Sequence, residues 1–196
     1  MEFPTKYLII VDPQNDFIEG GSLAVDGAKK AMERLSFFVS QNARYYEKIF
    51  VTQDFHPENH CSFTENGGTW PKHCVANTNG ADIFPKLKEV LADKENVVYT
   101  LKGKDVDVDQ YSIFSLKDGD VTNKYGKEML EELQKNPTFH IDICGIAGDV
   151  CVLNTANDLV QLIGADRLYI LEMFTASLDG GAKLRDFAEK NSIDLI

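Results

Sequence analysis

Short apolar runs alternate along this chain with longer segments in which apolar residues recur at helical spacing. Residues 7–11 read Tyr-Leu-Ile-Ile-Val and stop at Asp12-Pro13, a pattern typical of a strand buried on both faces. Similar runs predict further strands at residues 48–52, 96–101, 139–144, 167–171 and 193–196. Helical spacing predicts helices near residues 28–46, 84–91, 124–134, 150–163 and 181–190.

The alternation of strand and helix predicts the fold class. Strands that follow one another through helices form right-handed crossovers, so we expect an α/β fold with a mostly parallel sheet covered by helices on both faces. The chain has 196 residues and shows no internal repeat, low-complexity tract or interdomain linker. We therefore expect residues 1–196 to form one domain.

Polar residues directly follow several of the predicted strands. Asp12, Asp54, Lys102 and the turn at residues 145–151 each lie just beyond a predicted strand end. Sites in open α/β sheets form at the carboxyl ends of the strands. We therefore expect these residues to share one site.

Cys151 falls in the first turn of a predicted helix, after Gly-Ile-Ala-Gly. The free N–H groups and the positive dipole of a helix N-terminus lower a thiol pKa, and they can bind an oxyanion. A carboxylate at Asp12 can take the thiol proton, and the Lys102 ammonium can stabilise negative charge. The simpler alternatives are a structural cysteine, a capping aspartate and a solvated lysine. The shared position at strand ends favours the catalytic interpretation.

Three of the four histidines lie in a loop region without periodicity, residues 54–82. Residues two apart in extended backbone point the same way, so Asp54 and His56 can face one ion, and His60 and His73 lie within the same region. Carboxylate and imidazole ligands suit Zn²⁺, Fe²⁺ or Mn²⁺. The sequence therefore predicts a divalent metal site.

Two alternatives to this metal site stay open. The histidines can simply be solvated in a polar loop, or Cys61 and Cys74 can join His73 in a structural zinc site, although their spacing lacks a paired C-x-x-C motif. The remaining histidine, His140, lies in an apolar strand and is expected to be a core or sheet-edge residue.

Charge and cysteine content limit the classes of partner. The formal net charge is −11 and the sequence pI is about 4.8, which disfavours binding to nucleic acid or to anionic membranes. No signal peptide or membrane-spanning segment is visible in the sequence. Four cysteines are too few for a disulfide framework. We expect a cytoplasmic protein with a free thiol and a small-molecule partner.

Seven sequence blocks follow one another over nearly the whole chain. They are Ile-Ile-Val-Asp-Pro-Gln-Asn-Asp-Phe (9–17), Gly-Gly-Ser-Leu-Ala-Val (20–25), Asp-Phe-His-Pro (54–57), Trp-Pro-Lys-His-Cys-Val (70–75), Lys-Gly (102–103), Asp-Gln-Tyr-Ser-Ile-Phe (109–114) and the turn that carries Cys151. In content and order these blocks resemble the nicotinamidases (pyrazinamidases) of the isochorismatase-like hydrolase superfamily. The resemblance implies a Rossmann-like, three-layer α/β/α fold with a six-stranded, mostly parallel sheet.

The resemblance also implies the chemistry of the site. Its catalytic triad would be Asp12, Lys102 and Cys151. Its oxyanion hole would be the backbone N–H groups of Ala147 and Cys151, with a cis peptide bond between Ile146 and Ala147.

The metal and the substrate ring take further residues from the same resemblance. It places one divalent ion, zinc before iron or manganese, on Asp54, His56 and His73, with His60 a further ligand in some members. The ring pocket would be lined by Phe17, Trp70 and Tyr111.

The implied activity is hydrolysis of nicotinamide, and of pyrazinamide, to the acid and ammonia through a Cys151 thioester, as in NAD salvage. Asp12 would take the thiol proton, and Asp12 or the metal would activate the water. The rivals are a superfamily hydrolase with an isochorismate, carbamoyl or ureido substrate, against which the metal histidines argue, and a non-catalytic metal-binding module. Gly148 and Met173 depart from the common pattern, which has Thr and Asp there. A homo-oligomer is compatible with all of this.

Overall fold

A computed structural model describes residues 4–196 of the chain. Its strands are β1 (Thr5–Val11), β2 (Lys48–Asp54), β3 (Val97–Lys102), β4 (Leu116–Lys117), β5 (Asp120–Val121), β6 (Phe139–Ile146), β7 (Leu168–Ala176) and β8 (Asp194–Leu195). Its α-helices are α1 (Ala28–Asn42), α2 (Pro85–Ala92), α3 (Lys124–Gln134), α4 (Leu153–Ile163) and α5 (Ala182–Asn191). Among the described helices, none has the length and apolar character needed to cross a membrane.

Six of the strands form one sheet in the order β3-β2-β1-β6-β7-β8, and every pairing between neighbours is parallel. The chain builds the sheet outward from β1 to β3 and then returns to place β6 on the other side of β1. In parallel sheets a ligand crevice opens where the strand order reverses in this way. The predicted fold class is confirmed, and the reversal places the crevice between β1 and β6.

The central strand β1 explains why its sequence is continuously apolar. All five residues from Tyr7 to Val11 have no exposed surface. Leu8 and Ile10 pack with α1 and α2, while Tyr7, Ile9 and Val11 pack on the opposite face with α3, α4 and α5. Both faces are covered, so a polar side chain on either face would lose its hydration.

Three local features differ from the sequence-based expectation. Strands β2 and β3 end at Asp54 and Lys102, so these two residues are the last of their strands and do not follow them. The helix expected from residue 150 begins with a π-helical turn, Gly148–Val152. The hairpin of β4 and β5 was not predicted, although its turn, Asp118-Gly119, has positive φ at both residues and carries a known hairpin signal.

Helix α1 offers a matched test of the packing. Leu35 has no exposed surface, whereas Phe37, on the same helix, is 70% exposed. We expect Leu35→Ala to lower the free energy of unfolding by about 2–5 kcal/mol, because it opens a cavity in the core. Phe37→Ala removes a larger side chain and should change it by no more than about 0.5 kcal/mol. Chemical denaturation measures both, and equal effects would contradict this packing.

Candidate active site

A buried ammonium group lies between two buried carboxylates at the carboxyl ends of β1, β2 and β3. Lys102 Nζ is 2.8 Å from Asp12 Oδ2 and 2.5 Å from Asp54 Oδ1, and Lys102 has no exposed surface. It also donates a hydrogen bond of 3.2 Å to the carbonyl of Gln110. The parallel register makes Asp54 and Lys102 direct partners on adjacent strands. The sheet therefore determines this cluster of charges.

The two carboxylates have opposite pKa shifts. Burial raises the pKa of Asp12, and Asp54 adds to this increase although Lys102 opposes it. For Asp54 burial also opposes ionisation, but Lys102 and His56 outweigh it, so the pKa of Asp54 lies below its usual value. Lys102 keeps its proton, because the two carboxylates overcome the effect of burial and raise its pKa. Asp12 is thus the better proton acceptor, and Asp54 stays ionised.

Cys151 completes the cluster. Its Sγ is 3.7 Å from Lys102 Nζ, and Sγ lies within 4.8 Å of a carboxylate oxygen of Asp12 and one of Asp54. Thr52 Oγ1 donates to Asp12 Oδ1 at 2.7 Å. Within residues 4–196 no well-aligned hydrogen bond reaches Asp12 Oδ2, although the ammonium lies beside it. That oxygen is available to accept a proton from the thiol.

The lowered pKa that a helix N-terminus would give the Cys151 thiol is not found in this arrangement. Burial raises the pKa of the thiol well above its usual value, and Asp12 and Asp54 add to the rise against the opposing effect of Lys102. Burial of the thiol, the largest cause, and the two nearby carboxylates outweigh any effect of the helix N-terminus on its pKa. The thiol is protonated at rest, so the site needs a base to use it as a nucleophile.

The backbone around the thiol has the cis peptide bond that the family resemblance implied. The peptide bond between Ile146 and Ala147 is cis. The carbonyl of Ala147 accepts hydrogen bonds from the N–H groups of Val150 and Val152, both at 3.1 Å, which closes the π-helical turn. Ala147 and Cys151 line the same cavity. The two residues expected to supply the oxyanion hole therefore border the same cavity.

Asp54, His56 and His73 form a second group, in which one donor atom from each residue lies within 4.8 Å of the others. His56 Nδ1 is 2.9 Å from the Gly103 carbonyl, and His73 Nδ1 is 2.8 Å from that of Pro71. Carbonyl oxygens only accept, so both Nδ1 atoms carry hydrogen, and in the neutral rings the Nε2 atoms keep the lone pair that a metal ion would use. A buried carboxylate with two such imidazoles fits a divalent metal ion.

His60 lies next to this group but is not oriented as a ligand. Its ring centroid is 4.1 Å from that of His56. The Ser62 backbone N–H donates to His60 Nδ1 at 3.2 Å, so hydrogen must be on Nε2, which faces the Val108 carbonyl at 3.2 Å. Of the residues described, the cluster of donor atoms includes neither His60 nor the Cys61 and Cys74 of the alternative zinc site.

The three aromatic residues expected at a ring pocket lie together. Phe17, Trp70 and Tyr111 line one cavity, and Cys151 lines it too, together with Asp54, His56 and His73, called here the metal-type group. The cavity encloses about 420 Å³, including solvent at its open side. Trp70 Nε1 donates to the Tyr111 hydroxyl at 3.1 Å, and the Phe17 ring lies 5.6 Å from the ring of His73. The cavity suits a small, flat, mostly apolar molecule with one polar group to react.

Residues that hold these groups in place were missed from the sequence. The Gln14 amide clamps the backbone of Asp54, donating to its carbonyl at 2.7 Å and accepting from its N–H at 2.8 Å. Asp16 Oδ2 accepts the Cys74 N–H at 2.7 Å, next to His73. Phe63 is fully buried against three histidine rings. Gln14 and Asp16 follow the strand that ends at Val11, a signal that could have identified them.

The departure at Gly148 has a structural reason. A Cβ added there would lie 2.1 Å from Ser177 Oγ and 2.8 Å from Thr175 Cγ2. A larger residue at this position therefore requires these two side chains to move. Met173, the other departure, is 59% exposed on β7 and does not line the cavity. Both departures leave the groups described above unchanged.

The chain matches the family described as Isochorismatase domain over residues 6–166. It is 39% identical over 159 residues to a protein named nicotinamidase/pyrazinamidase from Mycobacterium tuberculosis, covering 80% of this chain and 79% of that protein. Its structure is similar to that of pyrazinamidase of Pyrococcus horikoshii in complex with zinc, with a TM-score of 0.81, 31% identity and coverage of 98% and 99% of the two chains. PnC1 from L. infantum in complex with nicotinate gives a TM-score of 0.80, 32% identity and coverage of 98% and 92%.

Gly103 allows a specific test of the metal-type group. Its φ is +65°, and an added Cβ would lie 2.4 Å from the His56 ring. We expect Gly103→Ala to displace His56 and to weaken binding of a divalent ion by about 10–100-fold. Gly119 has φ of +87° with open space around it, so Gly119→Ala imposes similar backbone strain without the contact. Metal titration should leave that control unchanged, and equal affinities in both variants would refute the assignment.

Proposed function

Because the chain belongs to the isochorismatase domain family, we propose that it hydrolyses nicotinamide to nicotinate and ammonia, and that it accepts pyrazinamide. One observation carries the proposal: the Cys151 thiol, the Asp12 carboxylate and a metal-type Asp/His group line or adjoin one small aromatic cavity. Isochorismate, carbamoyl and ureido substrates lack the aromatic ring nitrogen that an ion held by the histidine pair could orient. A carboxamide on a nitrogen-containing aromatic ring uses every part of the site.

Acylation starts with proton transfer. Asp12 Oδ2 takes the Cys151 proton, and the sulfur attacks the carboxamide carbon to form a tetrahedral oxyanion. The N–H groups of Ala147 and Cys151 receive this oxyanion. When the intermediate collapses, the carbon–nitrogen bond breaks and the amine takes the proton from Asp12, so ammonia leaves and a thioester remains on Cys151.

Deacylation uses the same base. Asp12 is a carboxylate again after ammonia leaves, and it takes a proton from a water molecule that attacks the thioester. The carbon–sulfur bond breaks, and the proton held by Asp12 returns to the Cys151 sulfur. Lys102 stays protonated throughout because the two carboxylates raise its pKa. It thereby stabilises the negative charge that passes between Asp12 and Cys151.

The Asp54, His56 and His73 side chains would hold the metal ion. When bound, a divalent ion supplies a Lewis acid that can orient the ring nitrogen of the substrate and withdraw electron density from the ring. Two imidazoles and one carboxylate leave open positions on zinc, which we propose as the resident ion. Trp70 and Tyr111, tied by their hydrogen bond, and Phe17 restrict the cavity to a flat ring.

The physiological setting is a further part of the proposal. Release of nicotinate from nicotinamide is a step of NAD salvage, and we propose this role for the protein in the cytoplasm, as one domain over residues 1–196.

His60 would keep the ring of His56 in place by stacking and would not bind the ion directly.

The nucleophile can be tested against a second cysteine. Cys151→Ala should reduce ammonia release from nicotinamide by at least about a thousandfold, because no thioester can form. Cys61→Ala, which alters a partly exposed thiol outside the cavity, should retain full activity. Mass spectrometry of acid-quenched protein should detect nicotinoyl only on the peptide with Cys151. Undiminished turnover by Cys151→Ala would rule out the mechanism.

Removal of the metal separates this proposal from metal-free members of the superfamily. Dialysis against a strong chelator should abolish nicotinamide turnover and lower the melting temperature, because an ion that binds only the folded state stabilises it. Added Zn²⁺ should restore both. Elemental analysis before dialysis identifies the ion. Full activity in metal-free protein would contradict the proposed role of Asp54, His56 and His73.

A further inference from the structure

A second cavity, of about 440 Å³ and widely open to solvent, lies on the sheet face covered by α1. Lys6, His140 and Tyr169 line it, and each is the second residue of its strand. It therefore opens near the amino ends of β1, β6 and β7, at the edge opposite the active site. It shares no lining residue with the active-site cavity.

The lining of this cavity includes the carboxylate of Asp142. Asp142 is only 8% exposed, and its register partner on the central strand is the apolar Leu8. The Tyr46 hydroxyl donates to Asp142 Oδ2 at 2.5 Å. Across residues 4–196 no hydrogen-bond donor reaches Oδ1, and no ammonium, guanidinium or imidazole nitrogen lies within 4.0 Å of the carboxylate. Among residues 4–196, Oδ1 is not one of the fully buried side-chain atoms that lack a partner, so it keeps exposed surface through which a ligand can reach it.

The walls around this carboxylate are aromatic. Phe38, Tyr45, Tyr46 and Tyr169 line the cavity, and aromatic faces attract cations. The guanidinium of Arg44 already lies 4.9 Å from the ring centroid of Tyr45, so a further cation would depend on the other three rings. Burial lowers the pKa of His140, so the imidazole beside the carboxylate is neutral near pH 7 and does not repel a cation. Lys6 is the one cationic side chain in the lining, and it is exposed.

We propose that this cavity binds an organic cation, either an aromatic ammonium or a quaternary nitrogen compound, with the positive group against Asp142 Oδ1. The ring or alkyl part of the ligand would lie between Tyr169 and Tyr46, two residues that line the cavity. The site is separate from the catalytic cavity, so this proposal does not depend on the proposed hydrolysis.

Calorimetric titration with trimethylphenylammonium tests the site in the full chain. Saturable binding is expected, whereas the uncharged isostere tert-butylbenzene should not bind saturably. Asp142→Asn keeps an acceptor for the Tyr46 hydroxyl and should weaken binding at least about tenfold, because it removes the charge. Tyr169→Leu should also weaken it. Tyr99→Leu, at an exposed tyrosine on the outer strand β3, should leave it unchanged.

Several results would overturn the proposal. They are no saturable binding of trimethylphenylammonium, equal binding of the uncharged isostere, or unchanged affinity in a folded Asp142→Asn protein. If Asp142→Asn does not fold, the pair of tyrosine variants decides, and equal affinity in Tyr169→Leu and Tyr99→Leu rejects the site. Nicotinamide turnover, which none of these residues serves, reports that each variant is folded.

Discussion

The buried ammonium of Lys102 is the interaction on which the site depends. It contacts Asp12 on one side and Asp54 on the other, and without it two carboxylates would face each other in a water-poor interior. Removing one member of a buried charge cluster leaves an uncompensated charge, which is strongly destabilising. With Lys102 in place, one carboxylate can serve the thiol while the other stays ionised beside the histidines. The ammonium thus joins the nucleophile and the metal-type group into one site.

The parallel sheet brings the charged side chains of this site together at the ends of neighbouring strands. Asp12, Asp54 and Lys102 lie at the ends of three adjacent strands, and Cys151 follows β6, on the other side of β1. Asp54 and Lys102 are carried by backbone that the strand ladder already holds, and Asp12 directly follows β1, so little entropy is lost when these groups meet. The Gln14 clamp on the Asp54 backbone and the Thr52 bond to Asp12 fix the carboxylates further.

Much of this arrangement could be predicted from the sequence because it depends on local patterns. The apolar run before Asp12 identifies a central strand, and helix α3 was predicted at the bounds it has, Lys124–Gln134. Strand ends then indicate where the polar residues meet. The ionisation of Cys151 could not be predicted in this way, because it depends first on the burial of the thiol and then on the balance between two carboxylates and Lys102. The orientation of His60 could not be predicted either, since it depends on the Ser62 N–H and on the Val108 carbonyl, which is 48 residues away.

The most direct test is the turnover of nicotinamide by Lys102→Met, compared with Lys104→Met, which alters an exposed lysine two residues later. The account predicts that Lys102→Met loses at least about a hundredfold in turnover and also binds Zn²⁺ more weakly, because both carboxylates lose their shared counter-ion. Lys104→Met should behave as the unaltered protein. A folded Lys102→Met protein with normal turnover and normal metal affinity would contradict the central claim.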